Sequence, residues 1–184
     1  MSGWRRCCRT VFKVGDVKEM ETVVEHAVPE RDALHIAQLI NICREERRTV
    51  LNHFTEKAER AYIENMRPRE AVFVARVNGE FAGFAGIAPR WEYSDRMKHC
   101  GEGGTWVMPA ARGMGVGTAL WGEGVIPWCR KVGFKHVSFF VMAHNKGAVA
   151  FYESLGFRVC GYHRRVVHWN GEFLDAVEME MWLE

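Results

Sequence analysis

The run Arg112-Gly113-Met114-Gly115-Val116-Gly117 places an arginine ahead of three alternating glycines. Glycine reaches backbone conformations closed to other residues and lets a ligand come close to the main chain. A short apolar stretch, Thr105–Met108, and Pro109 precede the run, and a helix-like apolar stretch follows it. A turn that opens a helix aims free N–H groups and the positive end of the helix dipole at one spot, which suits an anion. The stretch therefore reads as a phosphate cradle, whereas a plain strand-to-helix turn would need only two glycines. Two familiar cradles do not match. A P-loop needs a lysine after its last glycine, and a dinucleotide fingerprint needs a glycine where Thr118 stands, followed by an acid about 20 residues on.

Other reactive residue types give weaker patterns. No H-E-x-x-H or comparable metal spacing occurs, and His163 and His168 lie in or near a strand without acidic or cysteine companions in sequence, so no metal is expected. His99-Cys100 is not read as a nucleophile pair, because sequence neighbours rarely face each other. Taken alone, Tyr152 sits at a helical spacing typical of core aromatics, Asn145 stands where a helix cap would, and Glu102 is a loop or strand-start carboxylate.

These residues need a scaffold, and the chain is long enough to supply one. Its 184 residues are 48% hydrophobic and 26% charged, a composition suited to a single globular domain with a substantial core. A net charge of +2 gives no general attraction to nucleic acid or to a membrane surface, so neither is expected as a partner. Six scattered cysteines form no C-x-x-C pair, the basic N-terminus lacks an apolar signal core, and the longest apolar runs fall far short of a membrane span. A reduced, cytoplasmic setting is the expectation.

Residues 1–20 show no clear period and are expected to form a mobile or loosely docked arm, with residues 21–184 as the domain. Thr22–Val28 reads as a strand. Pro29 opens a helix with Leu34, Ala37, Leu39, Ile40 and Cys43 at helical spacing, and Thr55 opens a second with Ala58, Tyr62, Ile63 and Met66. The period then changes. Ala71–Val77 and Phe81–Ala88 flank an Asn78-Gly79 hairpin turn, Pro89–Gly101 is a polar loop, and Gly103–Met108 is the strand that leads into the glycine turn. A helix runs from Gly115 to about Val132 with a kink or break expected at Pro127. Strand His136–Ala143, helix Asn145–Leu155 and a closing hairpin of Phe157–Val167 and Asp175–Leu183 complete a mixed α/β sheet with helices on both faces.

Val107-Met108-Pro109 followed by the Arg112–Gly117 run resembles the acyl-CoA-binding motif of the GNAT superfamily of N-acetyltransferases. Asn145-Lys146-Gly147-Ala148-Val149-Ala150-Phe151-Tyr152, ending in Gly156-Phe157, resembles that superfamily's second signature, one helix and one strand downstream. The resemblance implies a mostly antiparallel sheet of seven strands, split where acyl-CoA inserts. It implies acetyl-CoA as co-substrate with no metal, held by Trp106, Val107, Met108, Arg112, Gly113, Met114, Gly115, Val116, Gly117, Thr118, Asn145, Ala148 and Tyr152. The Val107 or Met108 amide would donate to the oxyanion, and Asn145 would hold the cofactor arm or order the strand end. Tyr152 matches the family's proton donor to the departing thiolate. A tyrosine, with a pKa of roughly 10, can reprotonate a thiol of roughly 8.5.

Glu102, five residues before Val107, matches a glutamate of the phosphinothricin and L-amino-acid acetyltransferases and is the candidate base, although Gly103-Gly104 replace bulkier residues there; Glu80 and Glu92 are fallback candidates. The expected acceptor is a small primary amine: an amino acid, an analogue or a polyamine. A protein N-terminus or lysine, or acyl-CoA sensing without turnover, are the alternatives, and a homodimer is a family expectation.

Overall fold

The computed structural model describes residues 8–12 and 20–183. Five strands come first in space as in sequence: β1 (Cys8–Phe12), β2 (Met20–His26), β3 (Ala71–Val77), β4 (Glu80–Pro89) and β5 (Cys100–Val107). Between β2 and β3 lie α1 (Pro29–Glu45) and α2 (Glu56–Glu64). After β5 come α3 (Val116–Ala119), a π-helical turn (Leu120–Val125), α4 (Ile126–Val132), β6 (His136–Met142), α5 (Lys146–Ser154), β7 (Arg158–Trp169) and β8 (Glu172–Trp182). The sheet has eight strands in the order β1-β2-β3-β4-β5-β6-β8-β7. The strand beyond the expected seven is β1, which pairs antiparallel with β2 from Cys8↔Val24 to Phe12↔Met20. The rest of the expected N-terminal arm lies outside the described residues.

Strand β3 shows why the sheet is covered on both faces. Successive side chains of a strand point to opposite sides. Accordingly Ala71, Phe73 and Ala75 join one core, with Trp121, Val125 and Cys129 of the helical run after β5. Val72 and Val74 join the other, with Ile36, Leu39 and Ile40 of α1 and Ile63 of α2. Both faces of β3 are apolar, which is what a central strand between two helical layers requires.

Two helical faces differ from the sequence reading. In α1, Leu34 is exposed while Ala33, Ile36, Leu39, Ile40 and Cys43 are buried. In α2, capped by the Thr55 side chain accepting from the Ala58 amide, the inward positions are Glu59, Ile63 and Met66, while Ala58 is exposed and Tyr62 is 40% exposed. The packed face is thus rotated by one residue, and it carries a carboxylate.

The helical run continues through Pro127, and the break in its α ladder, expected at Pro127, falls just ahead of it as the π turn Leu120–Val125. A proline lacks the N–H that an α-helical ladder needs and crowds the carbonyl four residues back. Here the ladder widens ahead of it: the Ile126 amide donates to the carbonyl of Trp121, five residues earlier, and Pro127 then falls in the first turn of α4.

The feature that positions the site is the parting of β5 from β6. β5 pairs with β4 along its whole length, from Pro89↔Gly101 to Gly83↔Val107. With β6 it pairs, in parallel, only at Cys100↔His136 and Gly101↔Val137. Beyond Gly101 the two strands diverge, and β6 is held on its other side by β8.

Candidate active site

The gap between the diverging strands widens into a cleft of about 1010 Å³. β5 from Glu102 to Val107, the end of β6, the glycine turn and the first turns of α5 line one part of it; Cys43, Leu51, Phe54, Glu59 and Tyr62 line another.

The backbone alternation of β5 decides what its free edge offers. The Met108 amide donates to the Ala82 carbonyl at 2.9 Å, so even-numbered residues turn their N–H and C=O toward β4. Thr105 and Val107 therefore turn theirs toward the cleft. Of the two amides considered as oxyanion donors, that of Met108 is already committed to the sheet, which leaves Val107. Side chains follow the same period of two: Trp106 packs into the α1–α2 core, stacked on Phe84 with ring centroids 4.7 Å apart, and Glu102 faces that side as well.

At the glycine turn, Gly113 and Gly115 both have φ of +79°, the left-handed region that glycine enters without strain. Gly117 serves a different purpose. A Cβ there would lie 2.7 Å from the Phe151 ring, so the residue lets the start of α3 touch α5. The N–H groups of Val116, Gly117 and Thr118 open a helical run and have no acceptor within it. The Arg112 guanidinium, by contrast, is turned away from that spot. It donates to Glu46 through both terminal nitrogens, at 3.1 and 2.6 Å, and through Nε to the Val107 carbonyl at 3.2 Å. Its side chain ties the turn to the end of α1, leaving the backbone to meet an anion.

Tyr152 reaches β5 from α5. It is 5% exposed, packed against Phe139 and edge-on to Trp121. Its hydroxyl is hydrogen-bonded to the Thr105 backbone and side chain. Trp121 Nε1 donates to the same Thr105 hydroxyl, so that hydroxyl's own proton is free to point at Tyr152. Burial pushes the phenol up to about 12, against the pull of the Thr105 bonds. Such a phenol stays protonated at neutral pH, so it holds a proton to donate to a base that forms beside it. Asn145 caps α5, its side-chain oxygen accepting from the Ala148 amide at 3.3 Å and from Arg48 at 3.2 Å.

Glu102 lies on the cleft wall. Loss of solvation raises its carboxyl above the ordinary carboxylate range, with Arg90 opposing the shift and Glu178 adding to it. The two glycines after it have a steric cause. A Cβ on Gly103 would meet the Gly86 carbonyl at 2.7 Å, and one on Gly104 would meet the Trp106 ring at 2.6 Å.

The fallback carboxylates stand elsewhere. Glu80 opens β4 at the hairpin turn, and Glu92 pairs with Arg67 outside the cleft. His163, read as lacking an acidic companion, has one across the hairpin: its Nε2 is 3.3 Å from Glu178. No cluster of three or more potential metal ligands occurs among the described residues. His99 stacks on Trp182 and does not face Cys100 as a pair.

Two groups escaped the sequence reading. Thr105 was seen only as strand, yet it anchors Tyr152. Glu59 is the other, a buried acid in the first turn of α2. Its spacing of four from Ile63 and seven from Met66, on the apolar face of a short helix, was the signal that could have found it.

Residues 36–157 match the model of the acetyltransferase (GNAT) family. The chain belongs to the GNAT acetyltransferase family. This GNAT domain is 36% identical over 92 residues to an uncharacterized N-acetyltransferase of Methanocaldococcus jannaschii, a match covering 50% of this chain and 40% of the relative. Its fold superimposes on yncA of Salmonella typhimurium, solved with its cofactor acetyl-CoA, with a TM-score of 0.79, 22% identity and coverage of 89% and 94% of the two chains. A ribosomal-protein-alanine N-acetyltransferase of Brucella melitensis gives 0.78 and 25%, with coverage of 87% and 99%. The split sheet and the glycine turn of the GNAT domain thus stand where the family model matches, and no described helix is long and apolar enough to cross a membrane.

Proposed function

We propose that this protein transfers an acetyl group from acetyl-CoA to a primary amine of a small molecule. The observation that carries the reading is the coincidence, on one edge of β5, of an open backbone ladder and a buried, fully protonated tyrosine. The ladder offers the Val107 N–H and the Thr105 C=O to the amide-bearing pantetheine arm, as a neighbouring strand would, since the Val107 carbonyl is held by Arg112 and the Thr105 N–H by Tyr152. The pyrophosphate carries charge, and the amides opening α3 supply donors and dipole for it.

The residues then divide the chemistry. Glu102, its carboxyl raised by partial loss of solvation in the cleft, takes a proton from the acceptor ammonium directly or through water. The freed nitrogen forms a bond to the thioester carbon as the carbonyl electron pair moves onto oxygen, to which the Val107 N–H donates a hydrogen bond. When the oxyanion collapses, the carbon–sulfur bond breaks and Tyr152 passes its proton to the sulfur, while the nitrogen sheds its remaining excess proton through water, which restores the phenol. Thr105 and Trp121 position the phenol for that transfer.

A small acceptor is favoured by how the loop after β4 is held. Arg90 is tied to Ser138 and Glu178, and Glu92 to Arg67, which holds the loop in place, and the hollow beside it, about 320 Å³, is much smaller than the 1010 Å³ cleft. Free-thiol release from acetyl-CoA, measured against a panel of small amines and N-terminal peptides, tests the reading. Turnover on small amines is expected. Turnover on peptides alone would replace the acceptor class, and tight CoA binding with no turnover on any acceptor would overturn the enzymatic reading.

A further inference from the structure

Charge is distributed unevenly around the cleft. The arginines that reach it are engaged: Arg112 pairs with Glu46 at 2.6 Å, and Arg48 with the same carboxylate at 3.1 Å. Arg90, beside Glu102, pairs with Glu178 at 2.7 Å. Glu59 is not engaged. It is 3% exposed, stands in the cleft wall, and has no hydrogen-bond or ion-pair partner among the described residues. A carboxyl held out of water without a partner lowers stability. That cost is relieved by protonation, or by a cation or donor that arrives at the ionised carboxyl. The cleft around it carries Leu51, Phe54, Tyr62, Phe84 and Trp106, apolar and aromatic surfaces that suit an organic cation's alkyl body and charged end.

Glu59 and Glu102 lie on the same side of the sheet but on different walls, one on α2 and the other on β5. Glu102 belongs to the strand whose edge meets the thioester. Glu59 belongs to the helical layer opposite. An acceptor carrying its own carboxylate would meet the Glu59 and Glu102 carboxyls, while the two arginines of the wall, Arg48 and Arg112, are both drawn onto the one Glu46 carboxylate.

We propose that Glu59 pairs with a second cationic group of the acceptor, so that the substrate is a diamine-like molecule with two positive groups separated by an apolar spacer. Its reacting nitrogen lies at Glu102 and the β5 edge, and its distal ammonium or amidinium sits against Glu59 among the aromatic side chains. This rests on the reading of the cleft as a small-amine acetylation site. Glu59 is thereby a specificity residue, and the single negative group in the α2 wall selects charge number and not amine basicity.

The test compares a linear alkyl diamine with the monoamine of equal chain length, in wild type, Glu59→Gln and Glu59→Asp, each checked for an unchanged circular dichroism spectrum and acetyl-CoA affinity. In wild type, kcat/KM should favour the diamine by roughly tenfold or more. In Glu59→Gln that ratio should fall toward one, with the diamine's KM carrying the loss, and Glu59→Asp should restore part of it. An unchanged ratio in Glu59→Gln, or an equal loss on both acceptors, would overturn the assignment. If acetyl-CoA binds but neither amine is acetylated, the acetylation reading has failed separately. Glu59 is then read by calorimetric titration of the diamine into the protein–CoA complex. Binding that Glu59→Gln weakens supports the cation site, and absent or equal binding overturns it.

Discussion

On one side of the cleft the groups available to a ligand belong to the main chain: the Thr105 and Val107 edge of β5 and the amides at the start of α3. On the other side they belong to side chains: the Glu59 carboxyl on α2, with Phe54, Tyr62 and Phe84 around it. In the proposed reading the first side would recognise what every acyl-CoA molecule shares, an amide-rich arm and a pyrophosphate, by groups that no substitution removes short of changing the backbone path. The second recognises whatever distinguishes one acceptor from another, and it changes with a single codon. A fold that keeps the first and varies the second can serve many acceptors. The backbone side should therefore tolerate side-chain change except where a side chain does chemistry or a backbone angle is at stake, whereas the α2 side should respond in specificity and in stability.

Substitutions that separate these behaviours can be ranked by expected effect. Tyr152→Phe removes the only proposed proton donor and should lower kcat by about 10²–10³-fold while acetyl-CoA affinity stays the same, measured by thiol release and calorimetry. An unaltered kcat would return Tyr152 to the core it packs in.

Glu59→Gln should raise the stability of the ligand-free protein at pH 8 by up to about 3 kcal/mol, read as a higher melting temperature. Burial lifts the folded-state carboxyl to about 7 from its ordinary 4.5, so the native state prefers the protonated form. Wild type consequently loses stability as pH rises from about 4.5 to about 7, and the advantage of the glutamine should vanish at pH 4. A gain that does not depend on pH would mean that the carboxyl is solvated or paired. The neighbouring Tyr62 phenol, itself raised to about 12, stays neutral across this range.

Gly115→Ala forces a side chain into a φ of +79° and should cost about 1–2 kcal/mol, with a matching loss of acetyl-CoA affinity if the turn holds the pyrophosphate. Stability lost without affinity lost would separate the turn from the cofactor. Glu102→Gln should reduce kcat/KM by roughly tenfold and remove the acid limb of its pH profile, a limb that lies above the ordinary carboxylate range because burial raises this group. A superimposable profile would pass the base role to water or to another group.

Legibility in the sequence follows the same division. Strands and turns were readable because alternation, Asn78-Gly79 and Asn170-Gly171 leave local signals: β3 fell at Ala71–Val77 as expected, and both hairpins formed. The glycine turn and Tyr152 were readable because they sit in fixed spacings. Three things were not. The packed face of α2 depends on which side meets α1 and the sheet, and an amphipathic pattern nine residues long allows a one-residue rotation. The Met108 amide was lost to Ala82 through strand register, which a single sequence does not encode locally. And the Arg112 side chain found Glu46, 66 positions away, so its tie to α1 existed only once the chain had folded.

The π turn ahead of Pro127 has a genetic consequence. A π turn holds one residue more than the α-helical turn it replaces. Deleting one codon within Leu120–Val125, at Gly122 for instance, would restore an unbroken α ladder and return the Pro127 ring to the carbonyl it now avoids. Deletion and Pro127→Ala should therefore be epistatic: the deletion harmful alone, the substitution mild alone, and the pair better tolerated than the deletion by itself, as melting temperatures of the three variants would show.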